Sequence, residues 1–154
     1  MILYLDTSSL VKLYVDEPGS EDVPRLVDQA ELVTTSVVAY AEARAALARR
    51  RREKYLKPEG HRRAKAALDA DWDSILTLEV GETLAKSAGD LAERHRLRGF
   101  DALHLASYLF LMREFAGEEV RFVSADRALN RAAQRSARAA RRTHFVRLRR
   151  ATEL

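Results

Sequence analysis

Four acidic residues occupy positions that a solvent-facing acid has no reason to choose. Asp6 ends the apolar run Ile2-Leu3-Tyr4-Leu5 and is followed by Thr7, Ser8 and Ser9. Asp126 follows a second such run, Val120-Arg121-Phe122-Val123, after Ser124 and Ala125. Asp101 opens the apolar stretch that continues through Leu109, and Glu42 interrupts a stretch rich in Val and Ala. Carboxylates forced together repel, and a hard divalent cation relieves them. Oxygen ligands in a chain without cysteine favour magnesium or manganese over zinc. Such an ion activates water and neutralises charge building on a phosphoryl oxygen, which suits hydrolysis of a phosphodiester. Three of these acids also have an ordinary role open to them. Asp6 and Asp101 could only cap helices, and Glu42 could sit at the solvent border of an apolar stripe.

The elements that must position these acids are readable from the apolar pattern. A short continuous apolar run fits a strand buried on both faces, as in the middle of a parallel sheet. Asp6 would then stand at the carboxyl end of a central strand, where open α/β sheets bind ligands. Leu32–Thr35, Ile75–Leu78 and Val120–Val123 are further strand candidates, and His144–Leu148 is a fifth, at an edge. Helical patterns alternate with them, which predicts parallel pairing.

A short helix over Leu10 to Val15 should end at the turn Asp16-Glu17-Pro18-Gly19. A second helix follows from Ser20, with Val23, Leu26, Val27 and Ala30 inward. Ser36 is placed to cap a long helix over 37–53, with Val38, Ala41, Ala45 and Ala48 inward and Glu42 on that same face. Helices over 61–71 and 80–97 come next, with Gly99 as a helix-ending residue. His104 lies three residues after Asp101 on one helical face, and a packed histidine is favoured there over a ligand. In the last helix Arg127, Arg131, Arg135, Arg138 and Arg142 form a basic stripe opposite Leu129, Ala132, Ala133, Ala137 and Ala140. That stripe is either a guide for an anionic partner's phosphates or a solvated face.

The bulk properties bound the answer. The chain has 154 residues, enough for one domain over 1–154 with a real core. Its formal net charge of +4 permits an anionic partner without demanding one. No apolar run approaches the roughly 20 residues of a membrane helix. The start lacks a basic secretory n-region, and a cytoplasmic location is the expectation.

Four segments resemble the PIN-domain ribonucleases, and within them the VapC-type toxins of toxin–antitoxin pairs. They are Leu-Asp-Thr-Ser-Ser-Leu-Val-Lys-Leu-Tyr at 5–14, Val-Val-Ala-Tyr-Ala-Glu-Ala-Arg at 37–44, Phe-Asp-Ala-Leu-His-Leu-Ala at 100–106 and Val-Ser-Ala-Asp at 123–126. They run in the family's order along nearly the whole chain. The resemblance implies a three-layer α/β/α sandwich around a mainly parallel sheet of four or five strands. It implies a magnesium- or manganese-dependent endoribonuclease, with Asp6, Glu42, Asp101 and Asp126 as the metal-binding acids. Ser8 and Ser124 match hydroxyl positions that orient carboxylates or water from behind. It also implies a homodimer and a cognate antitoxin that covers the acidic groove, in part through the helices over 37–71. Two other readings stand beside it. One is a PIN domain that binds RNA without cutting it. The other is an aspartyl phosphatase using Asp6, which would want a second acid two residues on, where Ser8 stands.

Overall fold

The computed structural model describes residues 1–17 and 19–151, with residues 141–151 as helix backbone only. The elements run β1 (Ile2–Leu5), α1 (Thr7–Leu10), a 3₁₀ turn (Val11–Leu13), α2 (Asp22–Asp28), β2 (Leu32–Ser36), α3 (Val38–Arg52) and α4 (Pro58–Asp71). A second 3₁₀ turn (Trp72–Ser74) leads to β3 (Leu76–Leu78), α5 (Glu82–His95), α6 (Gly99–Glu114), β4 (Val120–Val123) and α7 (Arg127–Ala151). The strands form one sheet in the order β3-β2-β1-β4, and every pairing is parallel.

Alternation along β1 divides the core into two layers. Leu3 and Leu5 pack with Leu10, Val11, Ala39, Ala43, Leu47 and Leu68 from the helices α1, α3 and α4 and the turn after α1. Ile2 and Tyr4 face the other way, onto Leu91, Leu105, Tyr108, Leu129 and Ala133 from α5, α6 and α7. Successive strand side chains point to opposite faces, so a strand of four buried residues has to be covered twice. This gives the three-layer α/β/α arrangement. Among the described residues, no helix is long and apolar enough to cross a membrane.

Topology decides where a site can lie. The chain steps from β1 to β2 to β3 on one side, then crosses to place β4 on the other side of β1. The crevice between the carboxyl ends of β1 and β4 is therefore the switch point at which such sheets bind ligands. Register aligns Leu5 with Val123, so Asp6 and Ser124 leave the sheet side by side.

The structure corrects five local readings. Ser36 pairs with Leu78 as the last residue of β2, and α3 begins without a side-chain cap. The buried face of α3 is Ala39, Ala43 and Leu47, whereas Ala41 and Ala45 are exposed. Alanine fits either face, so the single Leu is the residue that marks the core side. Pro58 does not precede α4 but opens it, at the position where its missing N–H costs nothing. Gly99 opens α6, and α5 ends on Arg96 in the left-handed conformation. Residues His144 to Leu148 continue α7, so the described sheet has four strands. An Arg- and Ala-rich context favours helix, and one Val in that stretch does not outweigh it.

Candidate active site

Asp6 leaves β1 and immediately caps α1. Its Oδ1 accepts from the Ser9 backbone N–H at 2.9 Å, so the capping role is real. Its carboxylate does more than cap. The Ser8 hydroxyl donates to it, at 2.8 Å from Oδ1 and 2.9 Å from Oδ2, and Ser124 Oγ donates to Oδ2 at 2.7 Å. Asp6 is only 4% exposed, and burial pushes its pKa up against the opposing pull of these hydrogen bonds.

The segment after β4 is tied to the segment after β1. Ala125 N–H donates to Ser8 Oγ at 2.8 Å, and Asp126 N–H donates to Ser124 Oγ at 2.9 Å. Asp126 then caps α7, its Oδ1 accepting from Ala128 N–H at 2.6 Å and Leu129 N–H at 3.1 Å. Ser8 and Ser124 thus lie behind the acids and hold them.

Glu42 projects from α3 toward the same place. Its Oε2 accepts from Thr7 Oγ1 at 2.7 Å and lies 2.9 Å from His104 Nε2. Burial alone would raise the Glu42 pKa, but the His104 and Thr7 hydrogen bonds bring it below the usual carboxylate range. His104 is 2% exposed, and its Nδ1 lies 3.0 Å from the Tyr4 hydroxyl. Burial raises the Tyr4 pKa far above that of a free phenol, so the hydroxyl stays protonated and can serve as the donor to Nδ1. That assignment leaves Nε2–H to donate to Glu42, and it satisfies each of these partners.

Asp101 lies in the first turn of α6, where Arg98 Nε donates to its Oδ2 at 2.9 Å. The Arg98 side chain is 84% exposed, and Asp101 holds its pKa up further.

All four acids line a single cleft of about 560 Å³. Thr7, Ser8 and His104 share its walls with them. The cleft is bipolar, because Arg49, Arg50 and Arg52 from the end of α3 line it together with Arg98. Arg50 is engaged by Glu17.

The donor set suits a hard cation, since it offers carboxylate oxygens and no sulfur. Among the described residues, no three His, Asp or Glu side chains stand close enough to hold an ion between them as they are placed. Magnesium is commonly bound through one or two carboxylates while keeping several waters, so an open acidic cleft fits it better than a closed cage.

Several cleft residues were not singled out as site residues from sequence. Thr7 was visible as a hydroxyl beside Asp6, and Arg98 as a cation three residues before Asp101. The contacts of His104 could not be seen, because they join residues 62 and 100 positions apart. The run from Arg49 to Arg52 reads as a solvated helix end, yet three of its members line the cleft. The α7 stripe is divided between two concavities. Arg131 and Arg135 line a separate concavity, Arg138 lines another, and the side chain of Arg142 lies outside the described residues.

A model of the PIN domain family matches residues 3–135 of this chain. The chain belongs to the PIN-domain family. Two relatives from Mycobacterium tuberculosis are each 38% identical over 108 residues, which is 70% of this chain and 75% of the relative. They are Ribonuclease VapC45 of strain CDC 1551 / Oshkosh and Ribonuclease VapC49 of strain ATCC 25618 / H37Rv. The matched span takes in both strand ends that carry acids, together with α3 and α6.

Proposed function

We propose that this protein is an endoribonuclease of the VapC type, the toxin of a toxin–antitoxin pair. The reading rests above all on Asp6, Glu42, Asp101 and Asp126 sharing one cleft at the sheet's switch point. Both relatives carry ribonuclease in their names, and the family match covers all four acids.

Asp6, Glu42, Asp101 and Asp126 would hold magnesium or manganese, directly or through water. When bound, the ion lowers the pKa of a coordinated water and stabilises charge on the phosphoryl oxygens. The chain's own residues do the rest. Ser8 and Ser124 fix both oxygens of Asp6, and His104 and Thr7 fix Glu42. Arg49, Arg52 and Arg98 draw the RNA backbone over acids that would otherwise repel it. Because water is the nucleophile, the 2′-hydroxyl is not needed, and the products carry a 5′-phosphate and a 3′-hydroxyl.

The partners that go with this reading are an RNA substrate, a cognate antitoxin over the cleft and a second copy of the chain, all in the cytoplasm. A basic side chain from the antitoxin could replace Arg98 on Asp101 or meet the other carboxylates, with charge-assisted hydrogen bonds in place of the metal.

The phosphatase reading is weakened by the surroundings of Asp6. Ser8 occupies the place of the required acid, and both Asp6 oxygens accept hydrogen bonds, which blunts a nucleophile. The test is cleavage of labelled RNA with magnesium, with and without chelator, followed by analysis of the product ends. A 2′,3′-cyclic phosphate would contradict the proposed chemistry.

A further inference from the structure

A second charged concavity, of about 280 Å³, is lined by residues close in sequence to those of the acidic cleft. Arg94, His95 and Arg96 line it from the end of α5, and Arg131 and Arg135 line it from α7. Among the described residues no carboxylate contributes to its lining. None of the four arginines forms an ion pair among the described residues. Like charges gathered without a counter-ion repel, and an anion seated among them removes that cost.

Arg96 supplies an independent observation. It has φ +55° and ψ +46°, the left-handed conformation that favours glycine at the end of a helix. Arg96 thus holds a conformation that glycine would adopt without strain, and its side chain lines the concavity. His95 senses the same field. Burial lowers its pKa first, and the charges of Arg94 and Arg135 lower it further. Its Nε2 is engaged with Ser136 Oγ at 3.0 Å.

We propose that Arg94, Arg96, Arg131 and Arg135 form a phosphate-binding pocket for the RNA strand, seating a phosphate that flanks the one held over the acids. The assignment of the anion as RNA rests on the ribonuclease reading. The two concavities adjoin through the chain. Arg96 stands two residues before Arg98, and Ala128 two residues after Asp126. Two residues span at most roughly 7 Å, so a strand crossing the acids can reach the pocket with a neighbouring nucleotide. Guanidinium groups match phosphate oxygens bidentately, which suits a fixed backbone contact that carries no base preference.

The experiment measures binding of a labelled single-stranded RNA in EDTA across a salt series, so that neither metal nor cleavage enters. Arg131→Gln/Arg135→Gln should weaken binding and lower the slope of log K against log salt by about 0.7 for one lost phosphate contact. Arg138→Gln, which belongs to a different concavity, should leave the slope unchanged. Arg96→Gly should raise the melting temperature by relieving the backbone while weakening RNA binding, and a residue kept only for structure would not show that combination. An unchanged slope in the double variant overturns the proposal. So does a pocket that answers to inorganic phosphate by thermal shift, or to an acidic peptide, while RNA binding is unaffected. If the wild type binds RNA with the expected slope change but cuts nothing under magnesium, the pocket stands and the nuclease reading falls.

Discussion

His104 Nε2 lies 2.9 Å from Glu42 Oε2, and the same imidazole meets the Tyr4 hydroxyl through Nδ1 at 3.0 Å. One buried ring therefore connects β1, α3 and α6 and sets the direction of a carboxylate at the cleft. His104→Ala should cost about 2–4 kcal/mol of stability, from lost packing and from a Tyr4 hydroxyl left without its partner. Glu42 would lose its orientation, so cleavage should fall as well. Urea unfolding beside a cleavage assay checks both, and a His104→Ala protein of wild-type stability would contradict the network.

Buried Asp6 and half-buried Glu42 should titrate with opposite effects on stability. The Glu42 pKa is lowered from 4.5, so its contribution is present above that value and is lost as pH falls through the folded-state pKa. The Asp6 pKa is raised from 3.8, so the folded state holds its proton longer and stability declines as pH rises from that value through the folded-state pKa. Asp6→Asn removes that decline. The variant should be at least as stable as wild type at pH 7 and yet unable to cleave RNA. Denaturation series from pH 4 to 7 test this, and an Asp6→Asn protein markedly less stable than wild type at neutral pH would contradict it.

Arg98 is a counter-ion of Asp101, and on the proposed function it would compete with metal there. An exposed pair is worth at most about 1 kcal/mol, so its loss should change affinity only modestly. Arg98→Gln should tighten manganese binding roughly two- to five-fold by calorimetry, by the same ceiling on exposed pairs. Unchanged or weaker binding would mean that Arg98 does not occupy the metal's place.

The basic wall of the cleft should act on substrate rather than on chemistry. Arg49→Gln/Arg52→Gln should raise KM several-fold at low salt while leaving kcat nearly unchanged, the signature of lost uniform binding. A fall in kcat with KM unaltered would instead assign these arginines to the transition state.

Four strands, their parallel pairing and the two acids that leave β1 and β4 could be read from short apolar runs, whereas the fifth strand expected over His144–Leu148 is helix and the strand order was not legible. Asp101 and Glu42 could be suspected as charges inside apolar stretches. The inward face of α3 could not be read, because Ala39, Ala41, Ala43 and Ala45 differ in burial and not in chemistry. The partners of each acid also lay beyond local pattern. Thr7 on Glu42 and Ser124 on Asp6 are contacts across 35 and 118 positions, which only the folded sheet brings together. The arginines that border the acids follow the same logic. A basic run at a helix end looks solvated from sequence, and it becomes a cleft wall only once α3 has docked on the face of the sheet.

The most direct test of the account is the rate of RNA cleavage by wild type and Asp101→Asn, measured in EDTA and again after excess magnesium is restored. Asp101 lies in the first turn of α6 without capping it, so an asparagine keeps its shape and most of its hydrogen bonding but cannot supply the charge a cation needs. The account predicts no cleavage in EDTA, recovery in wild type with magnesium, and no recovery in Asp101→Asn. Undiminished cleavage in chelator, or a variant that recovers to the wild-type rate, would contradict it.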